Sequence, residues 1–128
     1  MSHRLGCEAS QIFAAVASVD GPIEVNKPCH PAFPTPVLHF HGTLDPVFPY
    51  NGAIYNGATQ TIDLWKKVNQ CTGGPTESKI DWRDTEYNYN CTTAVRLVSI
   101  AGGSHTMPPK AMHPEEYIWQ FLSTSVRV

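Results

Sequence analysis

Two polar residues follow apolar runs of the chain, and their types suit acid–base chemistry. Asp45 comes shortly after the run 36–40, and His105 comes shortly after the run 95–100. Each run is typical of a buried strand. A carboxylate can orient a histidine that takes a proton from a serine, and in one group of serine hydrolases the acid precedes the histidine along the chain. We therefore predict that Asp45 and His105 are the acid and the base of a catalytic triad.

The serine that such a triad needs has no recognisable site. No Gly-x-Ser-x-Gly sequence occurs, and that sequence forms the sharp strand-to-helix turn that exposes a nucleophilic serine. Ser104 is adjacent to His105, and adjacent residues rarely align a hydroxyl with the imidazole nitrogen. Ser2, Ser10 and Ser18 also lack the turn. We expect the acid and the base to be present without their nucleophile.

Composition predicts a small globular domain. Hydrophobic residues make up 41% of the 128 residues and charged residues 16%, which is enough apolar material for a core. The net charge of -2 gives no electrostatic reason to expect a nucleic acid or an anionic membrane as partner. No apolar run approaches the roughly 20 residues that cross a bilayer. We therefore predict neither a nucleic-acid partner nor a membrane partner.

Predicted strands alternate with predicted helices, which indicates a parallel sheet with crossovers. The run 12–19 predicts a strand buried on both faces, although its alanines leave a short helix open. The runs 36–40 and 95–100 predict two more strands. A polar, turn-rich stretch over 72–93 is expected to hold short strands near 79–82 and 86–89.

Two amphipathic helices are predicted, over 59–69 and 114–123. Their apolar stripes are Ile62, Leu64, Trp65 and Val68 in the first, and Tyr117, Ile118, Phe121 and Leu122 in the second. Residues 1–8 resemble the end of a helix without an N-cap, which suggests that a segment precedes them. The Pro-rich stretch 24–36 is expected to be extended and irregular.

Four widely spaced cysteines favour disulfide bonds. None lies in a close Cys-x-x-Cys pair of the kind that zinc and redox sites use. The spacings suggest two local bridges, Cys7–Cys29 and Cys71–Cys91. Disulfides indicate an oxidising compartment, so the expected location is extracellular. Four buried free thiols in a cytosolic protein are the alternative.

Two histidines of the second predicted strand could suggest metal binding. His39 and His41 have the i, i+2 spacing that places both side chains on one face. No third ligand has a suitable sequence context, so we predict hydrogen-bonded core histidines and no metal. His3, His30 and His113 have no supporting neighbours.

Three stretches together resemble the secreted polyhydroxybutyrate depolymerase and feruloyl esterase family. They are 13–19 (Phe-Ala-Ala-Val-Ala-Ser-Val), 36–50 (Pro-Val-Leu-His-Phe-His-Gly-Thr-Leu-Asp-Pro-Val-Phe-Pro-Tyr) and 102–106 (Gly-Gly-Ser-His-Thr). The resemblance covers nearly the whole chain and matches the C-terminal half of that family's α/β-hydrolase domain. It implies that Asp45 is the triad acid and His105 the triad base. This chain has Met107 where the family usually has tryptophan, and Ser104 where it usually has glycine.

The resemblance also implies a fold and an activity. Residues 1–128 would form a partial α/β-hydrolase domain of about three mostly parallel strands with flanking helices, and the half with the nucleophile elbow would lie upstream. The activity would be carboxylic ester hydrolysis, without a cofactor, on a small-molecule or polymer-linked ester. A non-catalytic binding module derived from such an esterase is the alternative.

Two further expectations concern surfaces. Four residues beside the two predicted catalytic loops are candidate substrate contacts, with ordinary loop packing as the equal alternative: Val47, Tyr50, Asn51 and Met107. A sheet of about three strands would also expose an apolar edge, and such an edge invites pairing with another chain. We therefore expect self-association through that edge.

Overall fold

The computed structural model describes residues 1–24 and 26–125, and these residues form a mixed sheet with helices on both faces. The strands are β1 (Val16–Val19), β2 (Val37–Gly42), β3 (Gly73–Lys79), β4 (Asp84–Asn90) and β5 (Val95–Ile100). The helices are α1 (Ser2–Glu8), α2 (Ala58–Val68) and α3 (Pro114–Thr124), with a 3-10 turn at Lys110–Met112. No helix of the described residues is long and apolar enough to cross a bilayer.

The expectation of about three mostly parallel strands is wrong for the described residues, which contain a five-stranded sheet in the order β1-β2-β5-β4-β3. β1, β2 and β5 are parallel, whereas β4 and β3 are antiparallel to their neighbours. β4 matches the short strand expected near 86–89. The strand expected near 79–82 is wrong, because β3 ends at Lys79 and residues 80–83 form the turn to β4. The residues of β3 are exposed throughout, so no apolar pattern marks this strand. Its hydrogen-bond ladder with β4, rather than apolar burial, holds it in place.

β1 is shorter than the run 12–19 that predicted it. Ile12 is 71% exposed and Phe13 is 39% exposed, and both precede the strand. Val16 is buried, but the other three residues of β1 are only partly buried. The expected burial on both faces fails because β1 lies at the edge of the sheet.

Alternate residues of β2 contribute to two separate cores. Val37 packs in a cluster with Trp65 of α2 and Cys7 of α1. Leu38 and Phe40 pack in a second cluster with Phe121 of α3 and other residues. Helices α1 and α2 therefore cover one face of the sheet and α3 covers the other.

The amphipathic patterns predicted both long helices closely, but burial within each stripe is uneven. In α2, Ile62 and Trp65 are buried, while Leu64 and Val68 are partly buried. In α3, Phe121 alone of the four predicted residues is buried, and the other three are partly buried. A single helix on this face leaves the sides of its stripe open to solvent.

The segment between β1 and β2 has no helix or strand in its described residues, as expected for 24–36; Val25 lies outside the described residues. Arg4 of α1 donates to the carbonyl oxygens of Pro28 and Glu24, at 2.8 and 3.0 Å. A disulfide bond joins Cys7 to Cys29, and a second joins Cys71 to Cys91. The pairing is the local one that the spacings favour.

Candidate active site

The acid loop and the histidine loop leave the sheet side by side. β2 and β5 are adjacent and parallel, and Gly42 pairs with Ile100 at their ends. Polar groups at the carboxyl ends of neighbouring parallel strands share one edge of the sheet. Asp45 and His105 therefore emerge on the same edge, although 60 positions separate them.

Backbone hydrogen bonds join the two loops. The amide of Thr43 donates to the carbonyl of Ile100 at 3.0 Å, and the amide of Leu44 donates to the carbonyl of Gly103 at 2.9 Å. In return, the amide of Gly102 donates to the Thr43 hydroxyl at 2.7 Å. These bonds fix the distance between the loops independently of the side chains of Asp45 and His105.

Two glycines permit this close approach. A Cβ on Gly42 would lie 2.3 Å from the carbonyl oxygen of Gly103, far inside van der Waals contact. Gly102 has φ +73, a left-handed conformation that glycine adopts without steric cost. The chain can therefore turn tightly into the histidine loop.

The side chains of Asp45 and His105 are hydrogen-bonded. His105 Nδ1 lies 2.8 Å from Asp45 Oδ2. The other carboxylate oxygen accepts the amides of Val47 and Phe48, at 2.8 and 2.9 Å. The Asp45 side chain is fully buried, and the His105 side chain is 39% exposed. This is the arrangement in which an acid orients a histidine whose other nitrogen remains available.

The surroundings of Asp45 favour its ionised form. Burial by itself would raise the pKa of Asp45, but the hydrogen bonds from His105, Phe48 and Val47 outweigh burial and lower that pKa. An ionised carboxylate only accepts hydrogen bonds, so the proton between Asp45 and His105 sits on Nδ1. Nε2 of His105 can then act as the base. No hydrogen bond joins that nitrogen to a serine hydroxyl within residues 1–24 and 26–125.

A second carboxylate lies close to this pair. Asp20 follows β1 with φ 54 and accepts the amide of Gly42 on Oδ1 at 3.1 Å. Burial, the largest effect, raises the pKa of Asp20. Oxygen and nitrogen atoms of Asp20, His41 and Asp45 lie within 4.8 Å of one another. His41 thus has two carboxylates near it, which its sequence context did not reveal.

These three residues could supply metal ligands, but hydrogen bonds already occupy both oxygens of Asp45, one oxygen of Asp20 and Nε2 of His41. Asp45 uses both oxygens, as described above. Nε2 of His41 lies 2.7 Å from the carbonyl oxygen of Phe48. We therefore assign no metal to this cluster.

The histidines of β2 are buried and hydrogen-bonded, as predicted. His39 and His41 have no exposed surface, and they bond to each other at 3.0 Å. No sequence pattern groups His3 with them, yet His3 is also buried and bonds to His39 at 3.0 Å. The contact depends on how α1 packs, and no local pattern reports that.

The four predicted substrate contacts lie in different environments. Val47 is 50% exposed and Met107 is 56% exposed. Asn51 is exposed, and its side-chain oxygen accepts the Thr59 hydroxyl at 2.8 Å. Tyr50 packs against the core beneath α2, with its ring edge-on to His41 at 5.8 Å between centroids.

Sequence reasoning missed a groove beside the histidine. Phe48 lies 5.8 Å from the His105 ring and 5.7 Å from the Tyr55 ring, centroid to centroid. A groove of about 580 Å³ is lined by Pro22, Ile23, Glu24, Asn26, Phe48, Ile54, Tyr55 and Asn56. Tyr55 is 63% exposed and Ile54 is 93% exposed. Only the path of the loop after Asp45 brings these side chains next to the segment after β1.

The comparison with known proteins points to esterases. The chain is 34% identical over 126 residues to feruloyl esterase B of Piromyces equi. The match covers 82% of this chain but only 22% of that relative, so the chain spans about a fifth of the relative's length. No protein-family model matches the chain. The chain therefore contains a region similar to a feruloyl esterase, and the comparison gives no support to the polyhydroxybutyrate depolymerase part of the resemblance.

Proposed function

We propose that this chain carries the acid and the base of a serine carboxylic-ester hydrolase of the feruloyl esterase type. The observation that carries the proposal is the 2.8 Å contact between His105 Nδ1 and the buried carboxylate of Asp45 at the carboxyl edge of the sheet. The similarity to feruloyl esterase B supports the same reading. The serine and the oxyanion amides would come from protein outside residues 1–128.

The chemistry assigns one role to each side chain. As the serine attacks the ester carbonyl, His105 Nε2 takes the serine proton, and Asp45 stabilises the imidazolium that forms. His105 then gives that proton to the departing alcohol, leaving an acyl-enzyme. In the second half, His105 takes a proton from water, which attacks the acyl carbonyl, and returns it to the serine. Asp45 stays ionised throughout.

The groove beside Phe48 is the proposed site for the acyl group. Two aromatic rings and Ile54 line it, and planar aromatic groups bind well against such walls. We therefore propose a hydroxycinnamoyl ester as substrate rather than a hydroxyalkanoate ester. The two disulfide bonds favour an extracellular setting for this reaction.

The activity test uses the chain as it stands. We expect neither fluorophosphonate labelling nor hydrolysis of methyl ferulate or short nitrophenyl esters, because a base without its nucleophile retains little catalysis. Stoichiometric labelling with robust turnover would refute the absence of a nucleophile. Activity that appears only after mixing with a polypeptide that supplies the serine would support the proposal.

Ligand binding can be tested without turnover. Titration with ferulic acid should shift backbone amide resonances around Phe48 and Tyr55, and Tyr55→Ala should weaken binding about tenfold through loss of aromatic contact. Trp82→Ala is the matched control, since Trp82 is 87% exposed and does not line the groove. Equal binding by both variants would remove the groove from the proposal. Tight ferulate binding with no regained hydrolysis on mixing would favour the binding-module alternative.

A further inference from the structure

Four buried rings form a continuous series of hydrogen bonds behind the acid loop. Trp65 Nε1 donates to His3 Nδ1 at 3.1 Å, and His3 Nε2 lies 3.0 Å from His39 Nδ1. His39 Nε2 lies 3.0 Å from His41 Nδ1, and His41 Nε2 lies 2.7 Å from the Phe48 carbonyl oxygen. We call Trp65, His3, His39 and His41 the histidine network. Each of the four residues is 2% exposed or less.

Both ends of the histidine network fix its direction. An indole nitrogen can only donate, so His3 Nδ1 must accept and its proton must be on Nε2. His39 Nδ1 then accepts and its Nε2 donates, and His41 follows the same pattern. A carbonyl oxygen can only accept, so the donor at the far end matches Phe48. Reversing the series would set two donors against each other at Trp65 and two acceptors at Phe48.

The network is therefore a fixed support rather than a path for proton transfer. Burial lowers the pKa of His3 to about 3, with a smaller effect from the amino terminus. Burial also holds the pKa of His39 well below its usual range, helped by the neighbouring His3 and His41 rings. The reversed arrangement, which a transferred proton would leave behind, is blocked at both ends.

The last member of the network touches the acid loop twice. His41 Nε2 bonds to the carbonyl of Phe48, whose own amide donates to Asp45 Oδ1. The same nitrogen lies 3.5 Å from Asp45 Oδ2, the oxygen that accepts His105. The Nε2–H group of His41 thus holds the Phe48 backbone, which in turn orients the Asp45 carboxylate. The same N–H group also faces that carboxylate directly.

We propose that His41 is a positioning residue for Asp45. The Trp65 donor and the Phe48 acceptor at its two ends hold the histidine network in one tautomer. The meaning for catalysis rests on the proposed function, but the structural claim does not. Through this network, helix α1 and helix α2 determine where the acid of the pair lies. The titratable groups that face the histidine network are Asp20, Asp45 and Tyr50 at its His41 end, and the amino terminus at its His3 end.

Nitrogen NMR on the histidines of the unaltered chain tests the direction. At pH 7, His3, His39 and His41 should each show a protonated Nε2 and an unprotonated Nδ1. A proton on Nδ1 of any of the three would overturn the proposal. In Trp65→Phe the Phe48 carbonyl still requires a donor from His41, and through it from His39 and His3, so all three histidines should keep the proton on Nε2. A proton on Nδ1 of His41 in this variant would overturn the proposal.

A pair of substitutions at His41 tests the positioning role. Glutamine places its amide near the position of Nε2 and can still donate to Phe48, whereas asparagine places its amide near Nδ1 and cannot. The readout is the rate at which the Nδ1 proton of His105 exchanges with water. His41→Gln should keep that proton protected, and His41→Asn should speed its exchange at least tenfold. His30→Asn, at an exposed position, is the control for replacing a histidine.

The outcomes separate this inference from the esterase proposal. A protected His105 proton in folded His41→Asn would overturn the positioning role, even if the complete enzyme hydrolyses ferulates. If His41→Asn does not fold, the tautomers in the unaltered chain and in Trp65→Phe decide. Failure of the esterase proposal would appear in turnover and would leave both NMR results unchanged.

Discussion

At the scale of single residues, Asp45 is a buried carboxylate whose charge is stabilised from several sides. Two backbone amides bind one oxygen, and His105 binds the other. The sequence could predict this pair, because both residues follow recognisable strands in a known order. It could not predict that His3 and Trp65 lie behind Asp45, since 62 positions separate those two residues and a helix must pack to join them.

Replacing the acid should change the state of the base. In Asp45→Asn the amide can present a donor to His105 Nδ1, so we expect a larger population of the Nε2–H tautomer. Nitrogen NMR of His105 on the chain measures it directly. Asp63→Asn is the control, because the side chain of Asp63 is 61% exposed and pairs with Lys66 rather than with His105. An unchanged His105 tautomer in Asp45→Asn would contradict the assigned contact.

The buried histidines also predict how stability depends on pH. The pKa of His3 is lowered from 6.5 to about 3, and that of His39 is lowered well below 6.5, so both stay neutral in the folded chain while the unfolded chain gains protons below pH 6.5. Stability present above pH 6.5 is thus lost as the pH falls. Between pH 7 and pH 5, His3 and His39 should each lower the free energy of unfolding by about 2 kcal/mol.

Urea unfolding at both pH values measures this loss. The window lies above the range in which Asp45, whose pKa is lowered, changes charge. His30→Gln should show the same loss as the unaltered chain, because His30 is exposed. A flat stability profile between pH 7 and pH 5 would mean that these histidines are not buried as neutral groups.

Among the elements, the apolar pattern of the sequence predicted those strands and helices that apolar burial stabilises. Strand β5 has the bounds of its run, 95–100, and α2 begins and ends within one residue of its predicted bounds. Apolar pattern did not predict strand β3, because its seven exposed residues carry no apolar alternation. A hydrogen-bond ladder with β4 stabilises the strand instead. The run 12–19 overstated β1 because hydrophobicity alone does not show where a strand leaves the sheet.

Contact between the acid and histidine loops depends on Gly42. In Gly42→Ala the new Cβ would meet the Gly103 carbonyl, so the loops must separate. We expect a loss of about 1–3 kcal/mol of stability and faster exchange of the His105 Nδ1 proton. Gly73→Ala is the matched control: its Cβ would meet nothing closer than 4.0 Å, and its effect should stay within about 0.5 kcal/mol. Equal effects of the two variants would contradict the close-packed loops.

At the scale of the whole molecule, β1 leaves one side of the sheet open. The amides of Val16 and Asp20 donate to the β2 side, so by strand alternation the amide of Ala17 faces away from β2. Unpaired amides along an edge can bond to a second chain. The self-association expected from the sequence therefore has a specific location.

Proline at that location tests the expectation. Ala17→Pro removes an outward donor without removing a bond to β2, and proline is tolerated at such edge positions. Light scattering should show dimers or larger species for the unaltered chain, and a shift toward monomer for Ala17→Pro. An unaltered chain that stays monomeric at high concentration would contradict the prediction.

We propose that Asp45 and His105 act together as the acid and the base of ester hydrolysis. The test is kcat/KM for methyl ferulate on the chain combined with a polypeptide that supplies the serine, comparing the unaltered form with His105→Asn and Asp45→Asn. The unaltered form should hydrolyse the ester, Asp45→Asn should lower kcat/KM by roughly 10⁴, and His105→Asn should lower it by roughly 10⁶. Undiminished hydrolysis in either variant would rule out the proposed acid–base pair.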